Sequence, residues 1–285
     1  MAVRKAVIPA AGLGTRCLPL TKAVPKELLP IYDRPALEVI AEEAAASGVE
    51  QLVLITGRGK SAIEDHFDSH PFLEAKLSGK PDLLASVRRQ SKTIEAISVR
   101  QGAPLGLGHA VGCGERVVGD ESFAVMLPDD LIFGAVPALK RLIDIHNETG
   151  KGVVLLMTVP KEQTQNYGIV SGETQPDGTI LIDGLVEKPA PEDAPTNLAI
   201  VGRYVFPGSI FRYIRETQPG ALGEIQLTDA MQTLAKHEGM IGVMIEGTRL
   251  DTGNPLGVLR AALHYAASRG PKEVEMIREF AKSLD

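Results

Sequence analysis

The sequence predicts an α/β fold in three layers, α/β/α, built on a mixed sheet that carries an inserted β-hairpin lobe. Three observations carry the prediction. Short apolar runs alternate with amphipathic helical segments through roughly the first 160 residues, the order that produces a mostly parallel sheet covered on both faces. Beyond that point two alternating runs flank "QPDGT", a turn sequence that joins antiparallel strands. The chain has 285 residues, 44% of them hydrophobic, and no low-complexity linker or internal repeat divides it. One domain over 1–285 is therefore expected, with a first part over about 1–160 and a second over about 161–285.

The elements follow in order. "KAVIPA" reads as a buried strand, followed by a loop to Pro35. "ALEVIAEEAAASG" reads as a helix with Leu37, Ile40 and Ala44 on one face and Gly48 as its stop. "QLVLITG" is a strand, "KSAIEDHF" a helix closed off near Pro71, and "EAISVRQ" an alternating strand. "LGHAVGCGERVV" is a helix weakened by Gly112 and Gly114, and "SFAVMLPDD" a buried strand that ends in acids. "VPALKRLIDIHNETG" is an amphipathic helix, "GVVLLMTV" a long apolar strand, and "YGIVSGETQPDGTILIDGLVEKP" the hairpin. "AIVGRYVF" is a further strand, and helices are expected at "IQLTDAMQTLAKHEG", "PLGVLRAALHYAASRG" and "PKEVEMIREFAKSLD".

Composition excludes several functions. A net charge of −6 argues against a nucleic-acid binder, which shows a basic face. No apolar stretch approaches the roughly 18 residues that span a bilayer, so no membrane partner is expected. Cys17 and Cys113 stand outside any Cys/His cluster, so no structural zinc is signalled. The N-terminus lacks a signal-peptide pattern, and a cytoplasmic location is the default. His66 and His70 have a metal-compatible spacing, but Pro71 interrupts the helix and a solvated helix end is the better reading.

The most informative stretch is "PAAGLGTRCLPLTKAVPKELLP", residues 9–30. "GLGTRC" begins like a dinucleotide fingerprint but places Cys17 where the third glycine belongs. "GRGKS" fails as a P-loop because Leu54 stands where the first glycine is required. What remains is a different anion cradle. Gly12 and Gly14 let backbone N–H groups approach phosphate, Arg16 offers a forked donor, and Lys26 adds a point charge. Lys22 reads as peripheral. Asp129 closes a buried strand, where α/β ligands bind, and alternation predicts that only one of Asp129 and Asp130 faces the site. Pro189 predicts an extended Lys188, with its side chain pointing away from that of Glu187. Gln101, at a strand end, can pair with a pyrimidine edge because an amide both donates and accepts.

The order of these parts resembles the sugar-1-phosphate nucleotidyltransferases. "PAAGLGTR", "PKELLP", "QGAPLGLGHAV", "LPDD", "YGIV", "VEKP", "NLAIVGRYVF", "GEIQLTDA" and "DTG" recur in the family's order from about Lys5 to Leu263. "PAAGLGTR", "PKELLP", "EKP" and "GEIQLTDA" are most similar to its uridylyl-transferring members. The resemblance implies a Rossmann-like fold with the hairpin as a sugar-binding lobe, and a Mg²⁺-assisted in-line reaction of UTP with α-D-glucose 1-phosphate. Its products would be UDP-glucose and pyrophosphate. Thymidylyl transfer from dTTP is the alternative within the family, and a catalytically inactive nucleotide-binding relative the alternative outside catalysis.

By the same resemblance, Arg16, Lys26 and Lys188 would act on the phosphates. Ala10, Ala11, Gly12, Gly14, Thr15, Gln101 and Gly106 would hold the nucleotide. Gly168, Glu187 and Asn197 would hold the sugar, and Asp129 and Asp251 the metal. Relatives also imply a homo-oligomer.

Overall fold

The protein is described here from a computed structural model, covering residues 2–220 and 223–284 apart from the Gln90 side chain. The first strand, β1 (Lys5–Pro9), is followed by three 3₁₀ turns between Thr15 and Leu28 and by a minimal ribbon, β2 (Pro30–Ile31) with β3 (Arg34–Pro35). Then come α1 (Ala36–Ala46), β4 (Gln51–Thr56), α2 (Ser61–Phe67), α3 (Pro71–Lys76), α4 (Pro81–Thr93) and β5 (Glu95–Arg100). The middle of the chain forms α5 (Leu107–Cys113), α6 (Glu115–Val118), β6 (Phe123–Met126), β7 (Asp130–Phe133), α7 (Ala138–Thr149) and β8 (Gly152–Thr158). The remainder forms β9 (Gly168–Thr174), β10 (Ile180–Glu187), β11 (Leu198–Phe206), α8 (Ile210–Glu216), α9 (Leu227–Glu238), β12 (Met240–Met244), β13 (Thr248–Asp251), α10 (Pro255–Arg269) and α11 (Pro271–Lys282).

Nine strands form one sheet in the order β5-β4-β1-β6-β11-β8-β12-β10-β9. The strands from β5 to β6 are parallel, β11 runs antiparallel to both β6 and β8, and β12 returns to parallel beside β8. The sheet is thus mixed, as expected. The β9–β10 hairpin is antiparallel and joins the sheet through β12, with β9 also touching β11. It extends the main sheet instead of standing off it.

Strand alternation divides the core between two helical layers. On β1, Ala6 and Ile8 face the cluster under α1 and α7, while Val7 faces the cluster under α5, α8 and α9. β6 repeats the division, with Ala124 and Met126 on the first side and Phe123 and Val125 on the second. Both faces are therefore apolar, which is why these strands read as continuous hydrophobic runs.

Several elements depart from the sequence reading. "SFAVMLPDD" is not one strand. Pro128 cannot donate to a ladder, so β6 stops at Met126 and Asp130 opens β7, which pairs with β13. Helices α3 and α4 fill the stretch before β5. Pro71 starts α3 at a position where a missing N–H costs nothing, and the His70 ring Nδ1 accepts from Leu73 N at 3.2 Å. Among the described residues, no helix is long and apolar enough to cross a membrane.

Candidate active site

The carboxyl ends of β1, β5 and β6 open onto two adjoining cavities that share Leu107. The first, about 240 Å³, is lined by Ala11, Gly12, Gln101, Gly106 and Glu224. The second, about 220 Å³, is lined by Arg16, Asp129, Asp130, Tyr167, Gly168, Glu187, Lys188, Thr228, Arg249 and Asp251, among others.

The loop after β1 is tied down before it turns. Ala10 N donates to Ile55 O at 2.8 Å. Gly14 adopts a left-handed conformation, φ 66°, and its carbonyl accepts from the Thr21 hydroxyl at 2.7 Å. A β-carbon there would be strained by that φ and would sit 3.1 Å from Thr21 Cγ2. Thr15 and Arg16 begin a 3₁₀ turn, with Arg16 reaching outward, its side chain 64% exposed. Cys17, also in this turn, is buried and unpaired.

Gln101 is buried instead of solvated. Its Nε2 donates to Gly106 O at 3.3 Å and lies 2.9 Å from His109 Nδ1. Those contacts orient the amide, leaving Oε1 as an acceptor beside the first cavity. Gly106 turns the chain into α5 at φ 98°, and a β-carbon would meet Ile225 O at 2.7 Å. Glycine is required there because Ile225 also binds the loop, its N donating to Leu105 O and its O accepting from Gly108 N.

Lys26 and Asp129 form the centre of the site. Lys26 Nζ lies 2.6 Å from Asp129 Oδ2, and Arg16 lies 3.9 Å from the same oxygen. Burial opposes ionisation of Asp129, but the charge and hydrogen bond of Lys26, helped by Arg16, hold the carboxyl below its ordinary range. Burial likewise works to lower the Lys26 pKa, and the Asp129 charge outweighs it, so the ammonium is raised above its usual value. Asp251 arrives from β13, paired in register with Asp130 of β7. Thr252 N donates to Asp129 O at 2.8 Å, which brings the two acidic segments together. The Asp251 Oδ1 accepts from Gly253 N at 2.7 Å.

On the far side, Glu187 stands opposite Gly168 in the hairpin register. The Thr228 hydroxyl donates to Glu187 Oε2 at 2.6 Å. Lys188 departs from expectation. It is not extended but takes φ 45°, and its Nζ lies 3.2 Å from Glu187 Oε1. The bias before proline is overridden by a hydrogen bond from Lys188 N to Tyr167 O at 3.0 Å. Such a φ is rare for a side-chain-bearing residue and concentrates at functional sites. Asn197 does not line either cavity. Its side chain is exposed, and its carbonyl accepts from Val159 N at the start of β11.

A family profile described as "Nucleotidyl transferase" matches residues 5–268. The chain belongs to that family. It is 47% identical over 266 residues to the UTP–glucose-1-phosphate uridylyltransferase of Bacillus subtilis, covering 93% of this chain and 91% of that protein. It superposes on a UTP-bound UGPase from Acinetobacter baumannii with a TM-score of 0.89 and 39% identity, covering 99% and 100% of the two chains. A UDP-glucose pyrophosphorylase complexed with UDP-glucose matches with a TM-score of 0.85 and 39% identity, covering 92% and 98%.

This nucleotidyl transferase carries site residues that sequence reasoning did not place. Asp130 also lines the cavity, but its carboxylate is engaged. Oδ2 accepts from Gly202 N at 2.9 Å, and Oδ1 accepts from Arg249 Nε at 2.7 Å. Arg249 also donates to the Tyr167 hydroxyl at 3.3 Å. Thr228, which donates to Glu187, lies inside α9, with Gln226 at the cap position. His66 Nε2 lies 3.2 Å from Glu38 Oε2, and among the described residues no group of three or more His, Cys, Asp or Glu could hold a metal.

Proposed function

We propose that this chain transfers the uridylyl group of UTP to α-D-glucose 1-phosphate, forming UDP-glucose and releasing pyrophosphate. The observation that carries the reading is the pair of adjoining cavities, one amide-lined and one charged. The names of the relatives reported above support the same substrates.

In this reading Gln101 Oε1 accepts from the uracil N3–H, against the Ala10–Gly12 backbone. Gly106 lets the base approach the loop. Gly14, Thr15 and Arg16 wrap the triphosphate, and Lys26 faces the α-phosphate. Gly168 and Glu187 face the glucose hydroxyls, while Lys188 holds the sugar phosphate. Asn197 is kept only as an outer neighbour of the sugar site, given its exposure.

The residues present fit Mg²⁺. Asp129 and Asp251 give two hard oxygen donors in one cavity, and Mg²⁺ takes one or two carboxylates with phosphate and water completing its shell. When bound, the ion neutralises phosphate charge and aligns phosphate oxygens. Everything else follows from the chain's own cations. A sugar-phosphate oxygen, already ionised near neutral pH, attacks the α-phosphorus. The new P–O bond forms as the bond to the β-phosphate oxygen breaks, and pyrophosphate carries away the electron pair. No general base or covalent intermediate is required. Arg16, Lys26 and Lys188 counter the repulsion of two anions and fix their line of approach.

We read the chain as a single functional domain, with the nucleotide part over about 1–160 and the sugar part over about 161–285, working in the cytoplasm as a homo-oligomer. The test is product identification. Incubation with UTP, glucose 1-phosphate and Mg²⁺ should yield UDP-glucose and pyrophosphate in equal amounts, and chelation should stop both.

A further inference from the structure

We propose that Arg203 is a positioning residue that fixes the turn carrying Asp129, acting through backbone carbonyls and not through substrate. The inference rests on the reading of Asp129 as a metal carboxylate.

Arg203 is entirely buried, which is unusual for so large a charged side chain. Its place in β11 is irregular. The register with β8 slips between Val201 and Tyr204, so Gly202 and Arg203 form a bulge. Bulges beside active sites re-aim side chains, and this one sends the guanidinium towards the β6–β7 turn. All five of its donors are used. Nε and one NH2 hydrogen go to the Glu43 carboxylate of α1, with the NH2–Oε2 contact at 2.7 Å. NH1 donates to Gly202 O at 2.9 Å and Leu127 O at 3.3 Å, and NH2 donates to Asp130 O at 2.8 Å.

Leu127 and Asp130 bracket Pro128–Asp129. One planar guanidinium therefore grips both ends of the turn. Glu43 balances its charge and also accepts from Leu139 N at 3.1 Å, anchoring the grip to α7. The neighbouring Gly202 N–H holds the Asp130 carboxylate, while Thr252 holds the Asp129 carbonyl from the opposite side. The peptides flanking Asp129 are thereby held in place, with its side chain among those lining the cavity. A lysine has three donors on a single nitrogen and cannot span three carbonyls and a carboxylate.

The test compares Arg203→Lys and Asp129→Asn in the full chain, each first shown to be folded by circular dichroism. Three quantities are read: hydrogen exchange of the segment around residues 127–130, Mn²⁺ binding in the presence of UTP by electron paramagnetic resonance, and kcat and KM for both substrates. For Arg203→Lys we expect faster exchange in that segment, Mn²⁺ affinity and kcat each reduced by about tenfold or more, and a KM for UTP within about threefold of the parent, the pattern of a ligand held by weakened outer partners. Unchanged Mn²⁺ affinity in folded Arg203→Lys, with loss in Asp129→Asn, overturns the positioning role alone. Unchanged affinity in Asp129→Asn overturns the metal reading and this inference with it. If Arg203→Lys does not fold, Glu43→Gln takes its place. Removing the charged anchor should weaken Mn²⁺ binding by about threefold or more, and an unchanged affinity contradicts the role.

Discussion

Lys26 Nζ rests 2.6 Å from Asp129 Oδ2. The cation and the carboxylate neutralise each other at the site. This pairing lets two groups of opposite charge remain largely buried, since each would otherwise pay a large desolvation cost alone. In the proposed reading, substrate would divide the pair, with phosphate taking Lys26 and the metal Asp129.

Replacing Lys26 with methionine should lower kcat/KM by about a hundredfold or more, the scale of losing one charge-stabilising donor. The same change should raise the Asp129 pKa, because its nearest cation is gone while its burial remains. The acid limb of the kcat/KM profile should then move to higher pH. A profile that keeps its acid limb would show that Asp129 does not govern it.

The pair also sets a pH dependence of stability. Asp129 is depressed when folded, so its contribution is present above its unfolded value and is lost as pH falls through the folded one. Denaturant midpoints in the parent should therefore drop below about pH 4, and Asp129→Asn should remove part of that drop. Identical pH curves for the two proteins would count against the pairing.

Gln101 should govern binding more than chemistry. Gln101→Leu removes the acceptor offered to uracil and should raise KM for UTP by about tenfold, the cost of one lost hydrogen bond in a dry pocket. Its effect on kcat should be smaller. Uracil and thymine share this edge and differ only in a methyl group, so the ratio of UTP to dTTP activity should stay the same. A large shift in that ratio would place the base differently.

A second buried pair carries stability instead of catalysis. Lys60 Nζ donates to both carboxylate oxygens of Glu27, at 2.9 and 2.8 Å, and Glu27 is nearly inaccessible. It joins the loop after β4 to the "PKELLP" segment next to Lys26. Lys60→Met leaves Glu27 buried without its partner and should cost about 3–5 kcal/mol of folding stability. Adding Glu27→Leu should recover much of it in chemical denaturation. No recovery would mean that the pair contributes more than its charge balance.

Much of this architecture is legible in the sequence, and the reasons for the gaps are physical. β1, β4, β6 and β8 announce themselves because both faces are buried. Local motifs such as the Gly14–Arg16 turn lie within a few residues, where sequence spacing translates directly into geometry. Reading "SFAVMLPDD" as one strand misses the break at Pro128, although a proline cannot donate to a ladder. Arg203 with Glu43, and Arg249 with Asp130, were not legible. Each pair joins residues more than a hundred positions apart, and nothing in either local pattern names the partner. The Lys188 conformation was hidden for the same reason, because a tertiary hydrogen bond to Tyr167 outweighs the local bias set by Pro189.

The most direct measurement is a rate comparison of pyrophosphate release with UTP, dTTP, CTP and ATP against glucose 1-phosphate and galactose 1-phosphate, in Mg²⁺. The account predicts the highest kcat/KM for UTP with glucose 1-phosphate and clear UDP-glucose formation. A preference for dTTP, or no pyrophosphate release with any pair, would contradict it.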